Sequence, residues 1–386
     1  MEAAAPALSE SRKLYWLALA CTPGIGPARA RQLVARFRAI ENVFQASLTE
    51  LEAAGLPGPA AQAIGTGKSL AAADEELVRA SGAGAEIVSL DDSAYPPQLK
   101  EIYDPPVVLY VRGDAAVLSE PGLAMVGTRH PTPYGLGMAE RLACDLSARG
   151  LIIFSGMARG IDTASHRGCL AANGKTAAIF GTGIDTIYPR ENRKLAEQVL
   201  ALGGALVSEF GIGTFAAPQN FPIRNRIISG LSVGVLVIEA GEYSGTRITS
   251  RCALEQNREL FAVPGNVTNK GSWTPNTLIK QGAKLTATWE DVWEELPAAV
   301  RSRLAPLSAA ATATGVAGSL FDDTALPPNE KRIFALLKAD ESTHIDQLVE
   351  ALESELSSPA IFAALFELEL AGKIRQLPGK NYVKAF

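Results

Sequence analysis

The spacing of apolar residues changes along the chain, and each change marks a different kind of element. From Leu14 to Ile64, in runs such as LYWLALACTPGIGPARARQLVARF, apolar positions recur at helical spacing between loop residues, which predicts a small all-helical module over about residues 10–80. From Ala83 to Gly113 the runs are short and extended, as in EIVSL and VVLYVRG. Pro96-Pro97 and Pro105-Pro106 argue against a helix through this stretch, and VVLYVRG reads as an edge strand leading into a larger domain.

From Leu123 apolar runs alternate with helical segments. LAMVGTR precedes a helix over about Tyr134 to Arg149, LIIFSGMA precedes one from Gly160, and TAAIFGTG precedes one from Pro189; ALVSEF, VGVLVIEA and LFAVPG continue the series. Short apolar runs that end in small residues and lead into helices are the pattern of a parallel sheet covered on both faces. The fold class expected is therefore α/β, a Rossmann-like core over about Leu123 to Leu296 within a larger domain over residues 83–296. Residues 297–327, rich in Ala, Pro, Ser and Thr, read as a linker. Three short helical patterns and the Gly-centred hairpin KIRQLPGKNYVKAF then predict a C-terminal winged-helix-like domain over residues 328–386, its wing turning at Leu377 to Lys380. Its presumed recognition helix, Pro359 to Gly372, has few basic residues, which favours protein docking over reading of duplex DNA.

Composition narrows the function. With 386 residues, two or three domains are expected, and 47% hydrophobic with 20% charged residues excludes a largely disordered chain. No apolar run reaches the length of a membrane span and the N-terminus lacks a secretory apolar region, so a cytoplasmic protein without membrane contact is expected. Cys21, Cys144, Cys169 and Cys252 form no CxxC pair, which argues against a zinc site or a disulfide framework. A net charge of -5 means that nucleic acid could be held only by a local basic patch.

In a parallel sheet, ligands collect at the carboxyl ends of the strands. There the sequence puts Gly127-Thr128-Arg129, Ser155-Gly156, Gly181-Thr182-Gly183, Glu209 and the stretch Glu239 to Thr246. Several reaction centres fail on spacing. Asp162 and His166 share a helix face without a third metal ligand, so a helix-start Asp that caps or pairs with His166 is the simpler reading; Ser155 lacks the GxSxG elbow. GTG at Gly181 lacks the third glycine of a dinucleotide fingerprint, and GTGKS at Gly65 is no P-loop. Neither a catalytic residue, a metal nor a cofactor is expected.

What remains is an anion site. Arg129 ends the first core strand, Arg159 follows the second, and Arg224 and Arg226 flank Asn225 directly before a later strand; Lys175 is the main core lysine. Arginine's planar fork suits phosphate. Ser244-Gly245-Thr246 opens a helix and is a possible phosphate loop, while Phe221 is either a stacking face for an unpaired base or a core residue. The alternative for the arginines is pairing with Glu209, Glu239 and Glu242. The turn Pro23 to Pro27 either meets a DNA phosphate in the manner of a helix-hairpin-helix, with Arg29 and Arg31 behind it, or is only a tight turn between packed helices.

Five motifs occur in order: MVGTRHPTPYG, FSGMARGIDTASHRG, GTGIDTIYPREN, SEFGIGTFAAPQNFPIRNRIISGLS and VIEAGEYSGTRIT. Together they resemble the DNA-processing protein A family, DprA, also called Smf, over about Leu123 to Gly282, and the flanking parts match the family's longer members, with a helical SAM-like or helix-hairpin-helix module in front. The resemblance implies an extended Rossmann-like core in a cytoplasmic bacterial protein without established catalytic activity that forms homodimers, binds and protects single-stranded DNA during natural transformation, and helps load the RecA recombinase. Carried onto this sequence, Gly127, Thr128 and Arg129 look like the family's phosphate-contact motif, and Phe221, Pro222, Arg224, Asn225 and Arg226 look like its FPxRNR motif. These two motifs are expected to form facing walls of one pocket, with Ser244 to Thr246 ranked below them. The alternative is a nucleotide-processing enzyme related to nucleoside-monophosphate phosphoribohydrolases, but AGEYSGTRITS stands where that family has PGGxGTxxE.

Overall fold

Successive residues of the central strands enter different cores, and this alternation builds the molecule. Leu123 and Met125 face one apolar layer while Ala124 and Val126 face the other; Leu236 and its neighbours Val235 and Val237 divide in the same way. Buried on both faces, such strands need apolar residues at every position, which is why they read as continuous runs in the sequence. The computed structural model describes residues 4–304, 326–339, 341–353 and 355–384.

The strands of the main sheet are β1 (Glu86–Ser89), β2 (Val108–Gly113), β3 (Gly122–Val126), β4 (Ile152–Ser155), β5 (Thr176–Ile179), β6 (Ala205–Ser208), β7 (Gly234–Val237), β8 (Glu259–Ala262) and β9 (Lys284–Leu285). Their order is β1-β2-β6-β5-β4-β3-β7-β8-β9. β6 through β9 in this order run parallel, and β2 pairs antiparallel with both β6 and β1. VVLYVRG is therefore an inner strand, because the four-residue β1 covers its outer side. The chain steps outward from β3 to β6, then returns to the other side of β3 as β7. Between β3 and β7 the connections leave in opposite directions, and the strand ends open a crevice there.

The proline-rich stretch admits one helical turn, Pro97–Lys100, with Pro97 at its start, where the missing amide has no helical partner in any case. FPIRNRIISGL, read as leading directly into a strand, forms the helix Asn220–Leu231. Pro222 is accommodated because it lies in the first turn.

The N-terminal helices, from Ala4–Cys21 to Lys68–Gly82, do not form a core of their own. Trp16, Leu33 and Leu51 belong to the same apolar cluster as Tyr110 and Ile179 of the sheet. Polar bonds reinforce this seam: buried Glu76 accepts from the Tyr110 hydroxyl at 3.0 Å and the Ile212 amide at 2.6 Å, and Trp16 Nε1 donates to Asp91.

Most of the stretch read as a linker, residues 305–325, lies outside the described residues. Just before it, Ala298–Arg301 is a short helix, and Leu304 is buried in the core on the second face of the sheet. The C-terminal winged helix has its own core around Ile333, Leu348, Ile361 and Leu368. Its helices are Pro328–Leu336, Ile345–Leu352 and Ser358–Leu370; its strands are β10 (Thr343–His344), β11 (Ile374–Leu377) and β12 (Asn381–Lys384). The wing turns through Gly379 and Lys380, both at positive φ.

Candidate functional site

The crevice between β3 and β7 holds a cleft of about 910 Å³, large enough for a nucleotide. One wall is the loop after β3. Gly127 is confined there, since a Cβ would come within 2.5 Å of Ile161 and 2.8 Å of the Glu239 carbonyl. The Thr128 amide donates to the Glu239 carbonyl, and the Thr128 carbonyl accepts from the Ile161 amide at 3.2 Å. Glu239, buried at the end of β7, fastens the far end of the same loop: its carboxylate accepts from the Thr132 amide at 2.9 Å and the Thr132 hydroxyl at 2.6 Å. Thr132 Oγ1 in turn accepts from the Gly135 amide and caps the helix Pro133–Ser147. Arg129 and His130 are thus exposed on a loop tied at both ends. Among the described residues Arg129 forms no ion pair, and its guanidinium lies 5.4 Å from the centre of the Phe221 ring.

The opposite wall is the helix Asn220–Leu231. Phe221, Arg224 and Asn225 line the cleft, so the two motifs singled out in the sequence do converge. Arg226 does not join them. Two residues along a helix are about 200° apart, whereas in extended chain they would share a face. Arg226 instead lies on the packed side, where it bonds Glu209 at 2.7 Å and Asp104 at 2.9 Å.

Arg224 is 4% exposed and donates through Nη1 to the Ile179 carbonyl, while Nε has no hydrogen-bond partner among the described residues. Burial foremost pulls its pKa down to about 10, opposed by Asp162, so it stays charged at neutral pH. Room for its guanidinium comes from Gly156, where a Cβ would fall 2.1 Å from Nη1. Asp162 supplies the counter-charge and accepts from the Gly156 and Ala158 amides at 3.1 and 3.3 Å. Asp162 and His166 do not bond each other. His166 Nδ1 lies 2.8 Å from Thr176 Oγ1, and burial, with Arg224 second, holds the imidazole down to about 3 and hence neutral. Glycines of the GTG run serve packing: a Cβ at Gly181 would meet the Phe221 ring at 2.8 Å.

The loop after β7 completes the cleft with Tyr243, Ser244, Gly245 and Thr246. Its donors are partly spent on itself, because the Ser244 hydroxyl bonds Thr246 Oγ1 at 3.0 Å and accepts from the Thr246 amide at 3.2 Å. Two other expected residues are held in ion pairs outside the main cleft. Arg159 is paired with Glu191, 2.7 Å from Nη2 to Oε2, and lines a small adjoining recess with Arg129, Tyr188, Phe221 and Arg224. Lys175 immediately precedes β5, at the amino ends of the parallel strands, and pairs with Asp114 at 3.2 Å. The lysine of the cleft is Lys270, on the connection after β8, accompanied by Trp273. Tyr188, whose ring centre is 5.8 Å from that of Phe221, is another aromatic that the sequence reading passed over.

Arg129, Arg224 and Lys270 face two carboxylates, Asp162 and Glu242, across this cleft, a local excess of positive charge on an acidic chain. At the N-terminal turn, by contrast, Arg29 donates to the Gly24 carbonyl and Arg31 to that of Tyr103. Among the described residues, no cluster of three or more His, Cys, Asp or Glu side chains is placed to hold a metal, and no helix is long and apolar enough to cross a membrane.

Residues 86–297 match the family described as DNA recombination-mediator protein A, and residues 321–380 match the DprA winged helix domain. Protein Smf of Escherichia coli (strain K12) is 42% identical over 299 residues, 77% of this chain and 77% of that protein. Protein Smf of Synechocystis sp. (strain ATCC 27184 / PCC 6803 / Kazusa) is 33% identical across 97% of this chain and 99% of its own length. The X-ray structure of DNA processing protein A from Streptococcus pneumoniae superposes with a TM-score of 0.64 at 34% identity, covering 74% of this chain and 98% of that one.

Proposed function

The chain belongs to the DNA recombination-mediator protein A (DprA) family, and from that premise we propose that its central cleft binds single-stranded DNA. The observation that carries this reading is Arg129: an exposed cation without an ion pair among the described residues, on a loop held at both ends and beside an aromatic face. Its guanidinium pairs with a backbone phosphate, and Lys270 offers a second charge across the cleft. Phe221, with Tyr188 beside it, supplies a stacking surface that only an unpaired base can reach, which favours single strands over duplex. Arg224, largely enclosed, polarises the same pocket and holds its wall.

In this reading the protein acts as a recombination mediator by holding DNA rather than transforming it. Protection of incoming strands during natural transformation, loading of RecA, work as a homodimer and a cytoplasmic setting complete the proposal. Arg159 enters the path only if a phosphate displaces Glu191, an exposed exchange of modest cost. Arg226 and Lys175 are assigned no contact, being committed to Glu209, Asp104 and Asp114.

Titration of oligo-dT tests the site. Arg129→Ala is expected to lower affinity about tenfold and to flatten the dependence of log affinity on log salt by about 0.7, the contribution of one single-strand phosphate contact. An unchanged affinity and slope would remove Arg129 from the site. Incubation with nucleoside monophosphates tests the enzymatic alternative, and release of free base at a useful rate would overturn the binding-only reading.

A further inference from the structure

The third helix of the winged helix is apolar on two sides. Ile361, Leu365 and Leu368 are buried in the domain core, as any such helix requires. On the outer side Phe362, Phe366 and Leu370, spaced by four residues and hence on one face, are 52%, 64% and 74% exposed. Glu369 lies along one margin of this strip and Glu367 along the other, and no Lys or Arg occurs between Ser358 and Leu370. The Glu369 carboxylate is also tied to the wing, accepting from the Gln376 amide at 3.3 Å.

An exposed apolar strip with acidic margins would meet DNA phosphates with repulsion, so this face is unsuited to duplex. A second copy would bring like carboxylates together, and residues 305–325 of the chain contain Asp322 and Asp323 but no Lys or Arg. We propose that the Phe362–Phe366–Leu370 face docks an amphipathic helix of a partner protein, one whose apolar stripe is flanked by Lys or Arg residues. The aromatic pair provides the buried anchors, and the two glutamates set orientation against the partner's cations. This surface is independent of the DNA cleft.

The test uses the full chain and two synthetic helical peptides with the same leucine stripe, one flanked by Lys and one by Glu, followed by fluorescence anisotropy. The Lys-flanked peptide is expected to bind, with Phe366→Ser weakening it at least tenfold. Glu367→Gln with Glu369→Gln should weaken it less and reduce its salt sensitivity, while Arg129→Ala leaves it unchanged. Unchanged far-UV circular dichroism and an unchanged melting profile would verify that the winged-helix variants are folded, and unchanged oligo-dT binding that the cleft is untouched. Equal binding of both peptides, binding of neither, or peptide binding unaffected by Phe366→Ser would overturn the proposal. So would self-association in sedimentation that Phe366→Ser abolishes, or a fall in duplex-DNA affinity in that variant.

Discussion

The loops that follow β3 and β7 are neighbours in space and alike in composition, yet the structure uses them differently. Each is rich in small residues and opens a helix at the carboxyl edge of the sheet. The first directs Thr132 inward, to Glu239 and to the helix cap, keeps the Thr128 hydroxyl on the His130 amide, and leaves its cation exposed. In the second, the Ser244 and Thr246 hydroxyls bond each other and Arg247 donates to the Glu242 carbonyl. A small-residue loop at a helix start is therefore not an anion site by composition alone. What matters is whether its donors and cations are already committed within the protein.

The comparison can be broken most forcefully at Glu239. Glu239→Ala removes the acceptor of the Thr132 amide and hydroxyl, and a loss of about 2–3 kcal/mol in stability is expected, read from the denaturant midpoint. Oligo-dT affinity should fall at least as far as in Arg129→Ala, because the loop that carries Arg129 is released. Retention of full affinity would show that the fastening is unnecessary. Gly127→Ala is gentler: its Cβ must displace Ile161 or the β7 end, at an expected cost of about 1–3 kcal/mol with a smaller loss of affinity. If melting temperature and oligo-dT titration both match the parent, the close approach of these strand ends has no functional weight. Ser244→Ala should have the smallest effect, within about 0.5 kcal/mol and twofold in affinity, as a largely local loop interaction. A tenfold weakening there would restore the second loop to the status of a phosphate site.

Much of the sheet was legible because strands buried on both faces leave an unmistakable mark, uninterrupted apolar runs ending in small residues. The convergence of Gly127–Arg129 with Phe221 and Arg224 was legible only through the family resemblance, since the second stretch lies in a helix well after β6 and before β7 rather than at the carboxyl end of a strand. Arg226 was not, because an arginine pair spaced by two points one way in a helix and another in extended chain, and Pro222 disguised the helix. Lys175 carried a usable signal: it precedes an apolar run, and the amino end of a parallel strand is the wrong side of the sheet. Lys270 carried none, since its place in the cleft depends on β8 lying beside β7, a matter of sheet order rather than local pattern. The shared core of the N-terminal helices and the sheet was equally hidden; Glu76 looks like an ordinary surface residue of a helix until Tyr110 and the Ile212 amide are brought to it.

The bond between Thr132 and Glu239 joins residues 107 positions apart. On the ribosome, Arg129 emerges long before the partner that holds its loop, and at a synthesis rate of roughly 5–20 residues per second the wait lasts about 5–20 seconds. A nascent chain that ends before β7 has the cation but no cleft. The same geometry sets a limit on fragments, since a polypeptide cut between β6 and β7 would need both pieces reassociated before a strand of DNA found two walls to lie between.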